Sequence, residues 1–132
     1  MRVWYRVIYG DTDCGGVMYY GNYLRLFEIG RTELLRSAGL TYRQIEEGRG
    51  LILPVVEVQV RYKAPARYDD LLAIETRLAE VRPHRVRFEY LVSSEEGRLL
   101  ATGHTVHAPV NREGRLTRFP EDLLTALQKI CR

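Results

Sequence analysis

Two aspartates spaced two apart, Asp11 and Asp13, precede a glycine pair in the run Asp11-Thr12-Asp13-Cys14-Gly15-Gly16-Val17-Met18-Tyr19-Tyr20. The run follows a strand-like segment and precedes a helix-like one. A helix N-terminus carries unpaired N–H groups and about half a positive charge. It can hold an anion or polarise a carbonyl oxygen, and it keeps a nearby carboxylate ionised. An ionised aspartate beside backbone donors suits acyl hydrolysis. The carboxylate attacks the carbonyl, or activates the water that does, while the N–H groups hold the oxyanion. The same residue types also build turns and caps, and paired glycines shape a turn or let a ligand approach the backbone. Spacing alone leaves both readings open.

The elements around this loop follow from periodicity. Arg2 to Tyr9 reads as a strand with Val3, Tyr5 and Val7 on one face. A helix is predicted from Tyr19 or Asn22 to Ala38, with Tyr20, Tyr23, Leu24, Phe27, Leu34 and Ala38 as its stripe. Leu26, Ile29 and Leu35 widen the stripe. Gly30 sits mid-helix at a cost of about 1 kcal/mol, which suits close approach to a neighbour. Gly39 marks a stop, and Thr41 with Gln44 opens a second helix to Gly48 in a capping-box pattern.

Four stretches then alternate with a period of two. They are Val56-Val58-Val60-Tyr62, Leu72-Ile74-Thr76-Leu78, Val86-Phe88-Tyr90-Val92 and Leu100-Thr102-His104-Val106. Turns at Pro65 to Asp70, Pro83-His84 and Glu95-Glu96-Gly97 imply antiparallel neighbours. A final helix, Glu121 to Ile130, follows Pro120. One apolar helix and one curved sheet must bury each other, so the fold class is α+β, with an antiparallel five-stranded sheet wrapped around a long central helix. Open sheet edges would be hidden by pairing across a twofold axis, giving a homodimer or homotetramer.

The chain of 132 residues suits one compact domain, 1–132. With 45% hydrophobic and 28% charged residues it has an ordinary globular balance. No run approaches a membrane span, and the start, Met1-Arg2-Val3-Trp4-Tyr5, carries no signal-peptide pattern. A cytoplasmic location is expected. Of the 20 basic residues, all but Lys63 and Lys129 are arginine. Arginine suits phosphate and carboxylate contacts as well as ion-pair networks. Cys14 and Cys131 show no zinc spacing with His84, His104 or His107, and no metal is expected.

The segment from Tyr9 to Tyr23, followed by Phe27-Glu28 and Arg31, resembles the 4-hydroxybenzoyl-CoA thioesterase family of hotdog-fold proteins. It is most similar to the bacterial acyl-CoA thioesterases associated with the Tol-Pal system. The later run from Val60 to Asp70 is similar too, so the likeness spans nearly the whole chain. It implies an acyl-CoA thioesterase that needs no cofactor. Asp13 would be the catalytic carboxylate, Asp11 its support, and the Tyr20 backbone N–H the oxyanion donor. Gly16, Val17, Asn22 and Tyr23 would contact the acyl part. Tol-Pal-associated members usually carry His where this chain has Tyr20, whereas hydroxybenzoyl-specific members carry Tyr. The family also holds the coenzyme A nucleotide with basic residues at the turn here formed by Arg82, His84 and Arg85.

Other residues have plainer readings. Glu28 pairs with Arg31 at i,i+3, though some hotdog thioesterases use a helix carboxylate such as Glu28 or Glu33. Cys14 has no histidine partner in the sequence. Core packing alone would explain Tyr23. A non-catalytic binder of acyl-CoA or acyl carrier protein would use the same pocket. Nucleic-acid binding rests on basic charge alone, without a stacked aromatic-and-basic motif, and is not expected. Dehydratases share the fold, but their His-centred loop is missing.

Overall fold

The computed structural model describes residues 1–132. Strands β1 (Arg2–Arg6), β2 (Val55–Tyr62), β3 (Leu71–Arg82), β4 (Arg85–Ser94) and β5 (Leu99–His107) form one antiparallel sheet in the order β1-β3-β4-β5-β2. Helices α1 (Asn22–Ser37), α2 (Tyr42–Arg49) and α3 (Glu121–Ile130) complete the chain. None is long and apolar enough to cross a membrane.

The sheet wraps α1 because two glycines let them meet. A Cβ on Gly30 would stand 2.2 Å from the Thr76 hydroxyl, and one on Gly103 would stand 2.6 Å from the Phe27 ring. Phe27 then stacks on Tyr90 of β4, with ring centres 4.2 Å apart. The buried face of α1 is Tyr23, Leu26, Phe27, Gly30 and Leu35. It is rotated from the expected stripe: Tyr20 and Leu24 are exposed, because the helix starts at Asn22 and the glycine contact fixes which face goes inward.

Three other expectations change. The first strand ends at Arg6, since Tyr9–Asp11 turns as a short 3-10 segment. β2 and β3 are not neighbours: β2 pairs only with β5, so the Pro65–Asp70 connection crosses the sheet instead of closing a hairpin. On β5, a register shift opposite Val92-Ser93 inverts the expected face. Gly103, Thr105 and His107 thus point toward the helix side, and His104 turns outward to pair with Glu57 at 2.7 Å.

His107 is fully buried. Its Nδ1 lies 2.8 Å from the Leu53 carbonyl oxygen, which only accepts, so Nδ1 carries the proton. Its Nε2 accepts from the Thr105 hydroxyl at 2.9 Å. Burial depresses its pKa from 6.5 to about 4. The unfolded chain therefore binds this proton more readily. Stability from this site is complete above about pH 6.5 and is lost as pH falls toward 4, by about 3 kcal/mol in total. Urea unfolding at pH 7, 5.5 and 4.5 should show that decline. It should flatten in His107→Gln, once the variant's lower baseline is subtracted.

Candidate active site

Asp11 and Asp13, two residues apart, have opposite surroundings. Asp11 is 2% exposed. Its Oδ2 accepts from the Tyr5 hydroxyl at 2.7 Å and the Ile8 N–H at 3.0 Å, while Oδ1 pairs with Arg25. Its carbonyl oxygen accepts the Tyr19 N–H at 2.7 Å and the Asn22 side-chain amide at 2.8 Å. Both ends of the loop are thereby tied to one residue, and the start of α1 is tied to the end of β1.

Between those ties, Thr12 and Met18 form an isolated antiparallel bridge. The Asp13 N–H donates to the Val17 carbonyl at 2.9 Å, and the Gly16 N–H donates back to Asp13 at 3.1 Å. Gly16 has φ +80°, a left-handed conformation that favours glycine. Met18 donates to the Ala66 carbonyl at 2.7 Å, which anchors the loop to the β2–β3 connection. The Asp13 carboxylate is exposed, and its only protein partner is the Gly15 N–H at 2.8 Å.

The chain then returns to Tyr20. Its N–H has no acceptor within the chain, and neither does that of Gly21, whereas Asn22, Tyr23 and Leu24 donate to carbonyls of the turn before the helix. Two donors thus stand unspent at the positive end of a sixteen-residue helix. The Tyr20 carbonyl accepts the Tyr62 hydroxyl at 2.8 Å, and the two rings meet edge-on. This bond fixes the residue that carries the free N–H. Replacing Tyr62 with Phe removes it and keeps the ring, so turnover should fall about fivefold with little change in KM. Steady-state kinetics on Tyr62→Phe checks this, and an unchanged kcat would show that the bond positions nothing.

Gly16 and Val17 lie in the loop beside Asp13. Asn22 spends its amide on Asp11, and Tyr23 is a core residue edge-on to Tyr62 with ring centres 5.2 Å apart. Cys14 is an exposed free thiol. Arg82, His84 and Arg85 are exposed on the β3–β4 turn, where Arg82 and Arg85 both face Glu80. That turn does not adjoin the loop. Residues 6–11 meet β3 at its Leu71 end, and Arg82 is eleven rises further along, about 35 Å away.

Glu28 does not pair with Arg31; Glu33 pairs with Arg36 at 3.4 Å. Tyr5, Arg25 and Tyr62 also shape the site. Tyr5 could have been suspected from its inward parity beside Asp11. Nothing in the sequence ties Arg25 or Tyr62 to partners 14 and 42 residues away. No three His, Cys, Asp or Glu side chains converge as a metal-holding group.

A five-stranded antiparallel sheet around a long helix, with an acidic loop at that helix's start, defines a hotdog-fold protein. The family model for the thioesterase-like superfamily matches residues 7–127, and the chain belongs to that superfamily. It is 42% identical over 84 residues to the acyl-CoA thioesterase YbgC of Haemophilus influenzae, covering 64% of this chain and 62% of that protein. It superposes on a hypothetical protein from Thermus thermophilus with TM-score 0.92 and 37% identity, covering 98% of each chain. It also superposes on an Asp-to-Asn variant of 4-hydroxybenzoyl-CoA thioesterase complexed with 4-hydroxybenzoyl-CoA. That match has TM-score 0.86 and 25% identity, and covers 100% of this chain and 98% of the other.

Proposed function

We propose that this protein hydrolyses acyl-CoA thioesters, with a short or aromatic acyl group, to the free acid and coenzyme A. The observation that carries the reading is the unspent N–H of Tyr20 at the start of α1, in the same tethered loop as the solvent-facing Asp13. The thioester oxygen docks on that N–H, which stabilises the charge that develops as the carbonyl becomes tetrahedral. Asp13 attacks the carbonyl carbon directly, or takes a proton from the water that does. The C–S bond then breaks and the thiolate leaves and is protonated; where Asp13 attacked directly, water then cleaves the Asp13–acyl anhydride to the free acid and restores the carboxylate. Superfamily membership, the YbgC relative and the substrate-bound Asp-to-Asn neighbour support this reading. A soluble CoA ester as substrate fits a cytoplasmic site of action.

The decisive measurement is thiol release from a panel of acyl-CoA esters. Turnover of at least one ester is expected, and binding without turnover of any would make the protein an acyl-CoA binder instead.

The nucleotide end needs a second copy. The Arg82–Arg85 turn is too far from Asp13 in one chain to share a substrate, yet β2 has an open edge with Val56, Val58 and Tyr62 exposed. Pairing two β2 edges antiparallel about a twofold axis would cover them and bring the two chains' sites together. The expected assembly is a homodimer or homotetramer. Val58→Lys should shift it toward monomer in sedimentation velocity and lower kcat/KM at least tenfold, whereas a monomeric wild type would overturn the assembly.

A further inference from the structure

The mechanism above leaves one buried cation unused. Arg31, on the α1 face toward α2, is mostly buried, and no carboxylate lies within ion-pair distance of its guanidinium. Its neighbours are the hydroxyls of Tyr42 and Tyr90. A buried charge without a counter-charge is costly unless something completes it.

The hydrogen-bond directions show where the completion is missing. His107 Nδ1 donates to Leu53, so its Nε2 must accept from Thr105, and Thr105 Oγ1 must in turn accept the Tyr90 hydroxyl proton at 2.6 Å. Tyr90 therefore faces Arg31 with a lone pair. Tyr42 has no such outlet: its buried hydroxyl lies beside the Arg31 guanidinium and meets no acceptor for its own proton, and the Arg31 Nε is likewise buried without a partner. Both residues line one cleft of about 440 Å³, between α1, α2 and residues 52–54, with the orphaned atoms just beneath its wall. Ile52, Leu53 and Pro54 form its apolar wall, and Leu53 is held in place by His107.

We infer that this cleft is a second recognition site, taking a compact apolar body that presents an acceptor oxygen to Arg31 and Tyr42. Glu28 and Glu46 stand exposed at its rim without ion pairs. They disfavour a polyanion such as a phosphate and favour a ring or short chain bearing a hydroxyl or a single carboxylate. Two sources supply that chemistry. One is the far end of an acyl group, the other a free organic acid of the kind hydrolysis releases. Arg31 lies about 14 Å along α1 from Asn22, so a short acyl group held at Tyr20 reaches the cleft only across a dimer. The acyl-group source thus rests on the proposed thioesterase activity, whereas the free-acid source does not.

Two measurements on the intact protein separate these cases. The first is calorimetric titration with 4-hydroxybenzoate. Wild type should bind it, Arg31→Met should weaken binding about tenfold or more, and Tyr42→Phe should weaken it about fivefold. Melting curves must show that both variants are folded, and Tyr42→Phe removes only one oxygen. The second is the ratio of kcat/KM for 4-hydroxybenzoyl-CoA over benzoyl-CoA. If the cleft takes the acyl end, that ratio should fall about tenfold in Arg31→Met. If the cleft takes the free acid, the ratio should hold while titration still shows the loss. A wild type that neither binds the acid nor discriminates the esters would overturn the site, as would a folded Arg31→Met that keeps both properties. If no ester is hydrolysed at all, the proposed activity fails and the titration alone decides the cleft.

Discussion

Asp13→Asn should lower kcat for the preferred acyl-CoA by about a thousandfold, with the melting temperature within about 2 °C of wild type. The two halves of this expectation have separate causes. Asparagine keeps an acceptor oxygen for the Gly15 N–H, which is the only bond that Asp13's side chain makes in the chain. The side chain is exposed and belongs to no ion pair, so loss of charge strands no partner. The amide is neither a nucleophile nor a proton acceptor at neutral pH, so the chemical step loses its driving group. KM should change little, because the Tyr20 N–H and the pocket walls are untouched. Asp13→Ala is a poorer probe, since it also removes the turn bond and confounds chemistry with loop order. Full activity in the asparagine variant would remove Asp13 from the mechanism.

How much of this was legible in the sequence depends on whether the signal was local. β3 and β4 follow their alternation residue for residue: Leu72, Ile74, Thr76 and Leu78, then Val86, Phe88, Tyr90 and Val92, are all buried. The last helix runs from Glu121 to Ile130 as read, because Pro120 fixes its start. β5 did not follow, because one inserted residue near Leu100 exchanges its two faces, and a period-two pattern carries no mark of a bulge. The place of β2 at the edge was also hidden. An eight-residue connection with a proline and two aspartates looks alike whether it closes a hairpin or crosses the sheet.

The loop's composition pointed to chemistry, but the free donor at Tyr20 depends on which carbonyls the turn consumes, and that is a three-dimensional count. The gap between Asp13 and the Arg82–Arg85 turn was equally invisible, because both lie beside chain reversals and only the length of β3 separates them.

Asp11→Ala should do what Asp13→Asn does not. It should lower stability by about 3 kcal/mol, against the roughly 5–15 kcal/mol typical of a domain, and activity should fall with it. Truncation leaves the Tyr5 hydroxyl and the Ile8 N–H, both partly buried, without their acceptor. Two stranded donors at about 1–3 kcal/mol each account for most of the loss. The Arg25 contribution is discounted, because that side chain is 44% exposed and water replaces its partner. Asp11→Asn keeps one oxygen, which can still accept both the Tyr5 hydroxyl and the Ile8 N–H, and loses only the acceptor that faces Arg25, so it should cost well under half as much. The bonds from the Tyr19 N–H and the Asn22 side-chain amide to the Asp11 carbonyl survive both changes on paper. However, the 3-10 turn that aims that carbonyl is itself held by the lost side chain, so the start of α1 and its free N–H lose their register. Urea unfolding and thiol release on the same samples therefore separate the two aspartates. A variant at position 11 as stable as wild type would mean that the loop's remaining bonds hold it, and that the buried carboxylate serves something other than the fold.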